Sequence, residues 1–376
     1  MGVSVRAMAE SAVASGYEVA GLDAFGDLDL QTICECYSLR RDYHVQFTAE
    51  GLYKASQGLA YDSVVYTANL ENHPEVVGRL AKRSPVVGNS PKVLRNVRNW
   101  RSVSSALRLA GFRTPATYHR EDAQQPDPNR KWLVKPMRGG GGHGVAFWPA
   151  GKKLGQGWMI QEYISGMPCS AAFVSNGVEA VVIGMSEQLI GLPEFGGNEF
   201  MYCGNIMPLA CGDDSAYGLQ ILEQVRQIAT MLTREFGLVG VNGIDFILTN
   251  GEVCLLEVNP RYSSSMELME QAYHLPIFDL HVRSISSGEL PDFDLANEIW
   301  SNRRTAGKVI LYANKDGQVP NIRTWIDRGI RDVPHVGEKL LRGKPICTVL
   351  AVGSTRNECY SRLTAEVDRL NGEIFV

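Results

Sequence analysis

No apolar run in the 376-residue chain approaches the ~18–20 residues that cross a bilayer, so no membrane-spanning helix is expected. Basic residues are not in excess. Lys and Arg number 37 against 41 Asp and Glu, a formal charge of −4, and without the clustered cations that phosphate backbones require, neither a nucleic acid nor a membrane surface is an expected partner. Cysteines are few and scattered. None of the eight forms a CxxC pair, and the nearest neighbours are Cys34 and Cys36, so neither a thiolate zinc site nor a disulfide framework is indicated and the thiols read as reduced, in a cytoplasmic protein. The opening stretch MGVSVRAMAESAVASGYEV breaks its apolar run at Glu10 and carries Arg6 where a myristoylation signal needs Ser or Thr. It reads as neither a leader nor a lipidation site.

What is present is a globular composition, 44% hydrophobic and 21% charged, over a length that suits two or three domains. Val5, Met8, Ala9, Ala12 and Val13 recur at helical spacing before Gly16. Strands are expected at 17–23, 63–68 and 85–89, with a helix from Pro74 between the last two. That alternation predicts a parallel sheet, although the strand that normally precedes a first helix is missing. A single helix is expected from Pro91 to Gly111. Asp23, Asp27 and Asp29 follow the first strand and read as a solvated loop, with amine binding as the alternative.

The segment 135-KPMRGGGGHGV-145 raises a sharper question. Gly139, Gly141 and Gly144 satisfy GxGxxG, but that fingerprint must open a helix, and Val-Ala-Phe-Trp-Pro follows instead. No GK[ST] is present for a P-loop, and strand-like residues abut the glycines on both sides, which disfavours a linker. What remains is a flap joining two antiparallel strands, whose bare amides can lie against phosphate oxygens. A hairpin tip without function is the bland alternative.

Further on, 159-MIQEYI-164 reads as a strand, and after a long helix from Ala216 to Phe236 the stretch 244-IDFILTNGEVCLLEVNPR-261 reads as a β-hairpin around Asn250-Gly251. Asp245 and Glu257 interrupt its apolar runs. A carboxylate inside a sheet is costly unless paired or metal-bound, and two carboxylates with the amide of Asn259 form a hard donor set suited to Mg²⁺. A two-residue loop would put Asp245 opposite Leu256 and send the acids to opposite faces. The metal site therefore predicts a loop one residue longer, pairing Thr249 with Val253 and Asp245 with Glu257, with Gly251 at positive φ.

These motifs, in this order, resemble the ATP-grasp superfamily, in its branch of predicted carboligases related to biotin carboxylase. Val-Lys-Pro precedes the glycine flap, Gln-Glu-Tyr-Ile follows it, and Gly-x-x-Gly-x-Asp-Phe leads to Glu-x-Asn-Pro-Arg, over roughly residues 90–290. The resemblance implies an α/β protein with α+β elements: an N-terminal parallel-sheet domain at 1–95, an ATP-grasp fold of two subdomains at 96–290 with the flap subdomain near 112–160, and a small β-rich appendage at 291–376. It implies that Lys135 and Gly139, Gly140, Gly141, Gly142, His143 and Gly144 meet the ATP phosphates. Gln161, Glu162, Tyr163 and Ile164 would line the adenine, Asp245, Glu257 and Asn259 would hold Mg²⁺ or Mn²⁺, and Arg261 would steady the transferred phosphoryl group. Two family features are absent. Where an Asp-Lys pair usually precedes Gly111 by about eleven residues the chain has Asn99-Trp100, flanked by Arg98 and Arg101, and where a ribose-binding acid is expected it has Cys169-Ser170.

The activity implied is ATP-dependent joining of a small carboxylate to an amine through an acyl phosphate, for example a glutamate–amine ligation in a one-carbon cofactor pathway. No biotinyl-lysine segment of the Met-Lys-Met type is present. The alternatives are a kinase or carboxylase-type reaction, or nucleotide binding without turnover. Tyr202 and Asn205 are candidates for the acyl substrate, and a homodimer is compatible with the family.

Overall fold

The computed structural model describes residues 1–122, 126–149, 151–209, 215–301, 304–322 and 324–375. Near the N-terminus, strands β1 (Ala20–Asp23) and β2 (Glu35–Ser38) pair in parallel. The helix Arg6–Ala14 forms where the sequence places it, and Gly16 follows at φ +84°. Residues 1–3 stand in for the strand that seemed to be missing: the Val3 amide donates to Ala68 O and the Ala24 amide donates to Val3 O at 3.1 Å, bridging the two neighbouring segments. The strands expected at 63–68 and 85–89 shrink to one parallel bridge, Val64 with Val86. Their backbone groups are partly used elsewhere, as in the Thr67 amide donating to Met1 O. Asp23, Asp27 and Asp29 are not solvated but buried. Asp23 accepts from the amides of Val5, Phe25 and Gly26, and Asp29 from those of Asp332 and Val333.

The single helix expected over 91–111 is two, Pro91–Val97 and Trp100–Leu109. Ser90 caps the first through the Val93 amide and Pro91 occupies its opening turn. Arg98 and Asn99 form the break. A four-stranded antiparallel sheet follows, built from β3 (Thr117–His119), β4 (Trp132–Pro136), β5 (Ala146–Phe147) and β6 (Trp158–Glu162) in the order β3-β6-β4-β5. The glycine flap joins β4 to β5 across this sheet, as the strand-like flanks predict.

The main sheet has seven antiparallel strands, β7 (Met167–Asn176), β8 (Ala180–Ile190), β9 (Tyr202–Met207), β10 (Val239–Thr249), β11 (Glu252–Asn259), β12 (Thr305–Tyr312) and, after the short pair β13 (Gly317–Gln318) and β14 (Lys339–Leu340), β15 (Pro345–Gly353). Their order is β11-β10-β7-β8-β9-β12-β15. The C-terminal segment thus does not stand apart: β12 pairs with β9 and extends the same sheet. One face packs on the helix Ser215–Phe236 through Phe173, Val225, Ile228, Phe246 and Leu255, and the other on the helices Met266–Tyr273 and Ile277–Ser286 through Val174, Ile183, Val241 and Met269. Helix Arg356–Ile374 covers β12 and β15, with Trp325 in that core. No described helix is long and apolar enough to cross a membrane, and the seven described cysteines are free.

Two side chains fasten the N-terminal unit to the hairpin. Asn89 donates to Asn242 Oδ1, Val239 O and Pro260 O and accepts from the Val239 amide. His281, only 3% exposed, accepts from the Val241 amide at Nδ1 (3.0 Å), which leaves Nε2–H to donate to Val87 O (3.1 Å). Both bonds require the neutral ring, and burial lowers its pKa to about 4. A histidine whose folded pKa is depressed favours the fold above its unfolded pKa of about 6.5 and loses that contribution as pH falls toward 4, because the unfolded chain binds the proton first. Urea unfolding is expected to lose roughly 3 kcal/mol across that window from this group alone. The His281→Gln variant should be less stable at pH 8 but show a shallower slope; an unchanged slope contradicts the assignment.

Candidate active site

The hairpin brings the two acids together by a route the sequence conceals. Its loop is the plain two-residue Asn250-Gly251 turn, both residues at positive φ (52° and 79°), with Thr249 paired to Glu252. The expected three-residue loop is therefore absent. The extra residue sits inside the strand: a β-bulge skips Leu256, so that Phe246 pairs with Leu255 while Asp245 pairs with Glu257. The face is the one expected, with Ile244, Phe246 and Leu255 fully buried on the core side.

Around the acid pair the donors are specific. Asp245 accepts from Gln188 Nε2 and from Asn259 Nδ2, both at 2.9 Å. Glu257 accepts from Arg98 Nη1 at 2.7 Å, and the same nitrogen donates to Val258 O at 2.8 Å. Burial, then the Glu257 charge, pushes Asp245 far above the usual carboxylate range. Burial pushes Glu257 upward too, but the charges of Arg98 and Lys135 outweigh it and hold that carboxyl below its ordinary value. Burial in turn lowers the Lys135 ammonium, against the pull of Glu257. Two like charges across one strand pair have high intrinsic energy, and the surrounding cations and amides offset it only in part.

Arg261 is clamped on three sides. Its Nε donates to Glu71 (2.7 Å), Nη1 to Tyr262 O (2.9 Å) and Nη2 to Asn259 Oδ1 (3.3 Å). Glu71 and Asn72 lie in one short turn, Leu70–Asn72, and Asn72 Oδ1 accepts from Arg98 Nε at 2.9 Å. A single turn of the N-terminal unit thus holds both arginines beside the acid pair. Gln188, Glu71 and Asn72 were not legible as site residues, since each is an ordinary polar residue until the fold closes. Of the two arginines near the absent Asp-Lys, the structure brings Arg98 to the site, whereas Arg101 pairs with Glu121 and Asp122 at the surface.

The other expected residues divide. Glu162 accepts from Arg130 (2.9 Å) and from the Ala116 amide (3.2 Å), Gln161 is buried against Thr117, and the Tyr163 amide donates to Lys131 O. Ile164 follows as the chain leaves the strand. In place of a ribose-binding acid, Cys169 faces the core and Ser170 pairs with Asp245 across β7 and β10, bonded to Ser186. Asn205 is buried under that serine pair and also accepts from the Tyr202 hydroxyl, so these two residues are bonded to each other. His143 faces Lys344; burial and then that charge lower its pKa.

A divalent ion finds a suitable donor set in Asp245, Glu257 and Asn259: two carboxylates offset only in part, with an amide on the same face. Among the described residues no group of three or more His, Cys, Asp or Glu side chains converges as a metal cluster. Two acids and an amide are the whole set.

Comparison with known proteins agrees with this geometry. A family model described as an ATP-grasp domain matches residues 97–265. An uncharacterized protein of Methanocaldococcus jannaschii is 24% identical over 305 residues, covering 76% of this chain and 70% of that protein. Among solved structures, an L-amino acid ligase from Bacillus licheniformis superposes with a TM-score of 0.69 at 16% identity, covering 99% and 96% of the two chains. The chain is an ATP-grasp enzyme. The biotin carboxylase domain of Hydrogenobacter thermophilus 2-oxoglutarate carboxylase, solved with MgADP and bicarbonate as a dimer, also shares the ATP-grasp fold, with a TM-score of 0.69 at 14% identity over 99% of this chain and 87% of that one. The arginine-specific carbamoyl phosphate synthase large chain of Bacillus subtilis matches at 26% identity over 55% of this chain, which spans only 18% of that protein.

The flap rests against the main sheet. Gly141 O accepts from the Tyr202 amide at 3.1 Å, and a Cβ at Gly142, itself at φ +76°, would lie 1.7 Å from Phe200 O. The ATP-grasp flap here needs a glycine at 142 for contact with its own chain, whatever it meets in the cleft. Gly140 has open space and an ordinary φ. Gly142→Ala is therefore expected to speed hydrogen exchange at the Tyr202 amide by about tenfold or more, the loss of roughly 1.4 kcal/mol of local protection. Gly140→Ala should leave it unchanged, and equal exchange in the two variants contradicts the docked flap.

Proposed function

We propose that this ATP-grasp enzyme joins a small carboxylate to an amine, forming a C–N bond with release of ADP and phosphate, and that the carboxylate is first activated as an acyl phosphate. In its most specific form the proposal is ligation of glutamate to an amine in one-carbon cofactor biosynthesis, in the cytoplasm. The observation that carries the reading is the cross-strand pair Asp245–Glu257, ringed by Arg98, Lys135 and Arg261.

The chemistry follows from charge. A carboxylate resists attack by an amine until one of its oxygens becomes a leaving group, and transfer of the ATP γ-phosphoryl supplies that. Mg²⁺ bound by Asp245, Glu257 and Asn259 would supply positive charge against the phosphate oxygens. Lys135 and Arg98, which now neutralise Glu257, face the same oxygens from the flap strand and the helix break, so they exchange one anionic partner for another as ATP arrives. Arg261 is pre-aimed by Glu71 and meets charge that develops during transfer. The flap glycines cover the phosphates, and Gln161 to Ile164 border the adenine.

Incubation with Mg·ATP, L-glutamate and a panel of amino acids and polyamines, following ADP and phosphate, tests the reading. Release should require both a carboxylate and an amine, and hydroxylamine should trap the activated carboxylate as a hydroxamate. ADP formation with a carboxylate alone at the full rate would indicate a kinase, and no ADP under any condition would indicate a binding protein; either result contradicts the proposal. Arg261→Ala should lower kcat by about 10² or more, as loss of an oxyanion donor does. Lys135→Ala should instead weaken ATP binding, by about tenfold for a lost interaction of roughly 1.4 kcal/mol. Unaltered ATP affinity in that variant removes Lys135 from the phosphates.

A further inference from the structure

Glu71 carries more than the arginine it holds. It is 2% exposed, and its Oε1 accepts from Arg261 Nε at 2.7 Å. Its Oε2 is buried with no hydrogen-bond partner among the described residues. The polar groups nearest it are committed elsewhere: the Tyr66 hydroxyl donates to Asn89 O, Asn72 Nδ2 to Asn69 Oδ1, and Arg98 to Asn72, Glu257 and Val258. An anionic oxygen stripped of water is among the more costly arrangements in a protein interior unless something donates to it. The oxygen also lies close to the reacting groups, since one guanidinium spans from Glu71 Oε1 to Asn259 Oδ1.

We propose that Glu71 Oε2 is the acceptor for an N–H of the amine co-substrate, so that one carboxylate aims Arg261 with one oxygen and holds the attacking nitrogen with the other. This rests on the ligase reading above and names the class of ligand at that site: a primary or secondary amine, not an alcohol or thiolate nucleophile. A neutral amine that donates an N–H to Glu71 keeps its lone pair free for the acyl carbon. The same carboxylate then fixes nucleophile and phosphoryl clamp in one frame, which is the positional economy that a two-substrate transfer needs. A quaternary or fully substituted amine has no N–H to offer and is refused.

Glu71→Gln separates this role from a structural one, because the amide keeps an oxygen for Arg261 and turns the free oxygen into an NH₂ donor. Two rates are read with Mg·ATP and L-glutamate: hydroxamate formation with high hydroxylamine, which reports carboxylate activation, and amine-dependent ADP release with the best amine of the panel. The expected result is hydroxamate formation within about threefold of the parent and a KM for the amine raised at least tenfold, with Glu71→Asp in between. If both rates fall together, Glu71 merely supports Arg261 and the proposal is overturned. If neither changes, Oε2 meets no substrate and the proposal is equally overturned. Should the parent itself give no hydroxamate from any carboxylate, the ligase reading fails first, and this inference with it.

Discussion

Two carboxylates set directly opposite each other on neighbouring strands repel, and the rest of the site is arranged around that repulsion. Asp245 and Glu257 reach this position only because a bulge at Leu256 shifts the register by one residue; without it the pair would straddle the sheet. The bulge costs a ladder position and gains a shared anionic face. Gln188, Asn259, Arg98 and Lys135 then converge from four different elements to make that face tolerable.

The partners come from separate parts of the chain, so the site exists only when those parts are docked. Arg98 sits in the break between two short helices, and Glu71 and Asn72 belong to an N-terminal turn whose neighbourhood is fastened by Asn89 and His281. The flap is seated on Phe200 and Tyr202 by backbone contact. Removing one partner of such a set leaves a charge buried alone, which costs more than the pair contributes. Polar side chains that look dispensable in isolation therefore bear on the catalytic geometry.

Much of this was legible in the sequence. The glycine flap between two strands, the hairpin turn at Asn250-Gly251 and the alternation that marks Asp245 and Glu257 all follow from local chemistry, and the motif order pointed to the ATP-grasp fold. The register argument reached the right pair of residues through the wrong device. Periodicity fixes which residues must share a face, but a loop and a bulge each supply one extra residue and leave the same pattern. The strands expected at 63–68 and 85–89 failed for a similar reason: β-branched residues predict extended backbone, whereas ladder formation depends on neighbours, and here residues 1–3 took part of the pairing. Asp23, Asp27 and Asp29 read as solvated because burial of three acids is rare, and the amides that make burial of two of them tolerable come partly from residues more than three hundred positions away. Glu71 and Gln188 gave no signal, since nothing local distinguishes a polar residue that will meet a distant charge.

The central claim is that Asp245 and Glu257 jointly hold the nucleotide's divalent ion. Binding of Mn²⁺, followed by electron paramagnetic resonance in the presence of ADP, tests it without requiring a known substrate. The account predicts one nucleotide-dependent Mn²⁺ site in the parent, weakened by at least an order of magnitude in both Asp245→Asn and Glu257→Gln, as expected when a hard cation loses one of two carboxylates. Retention of parental Mn²⁺ affinity in either variant would contradict it.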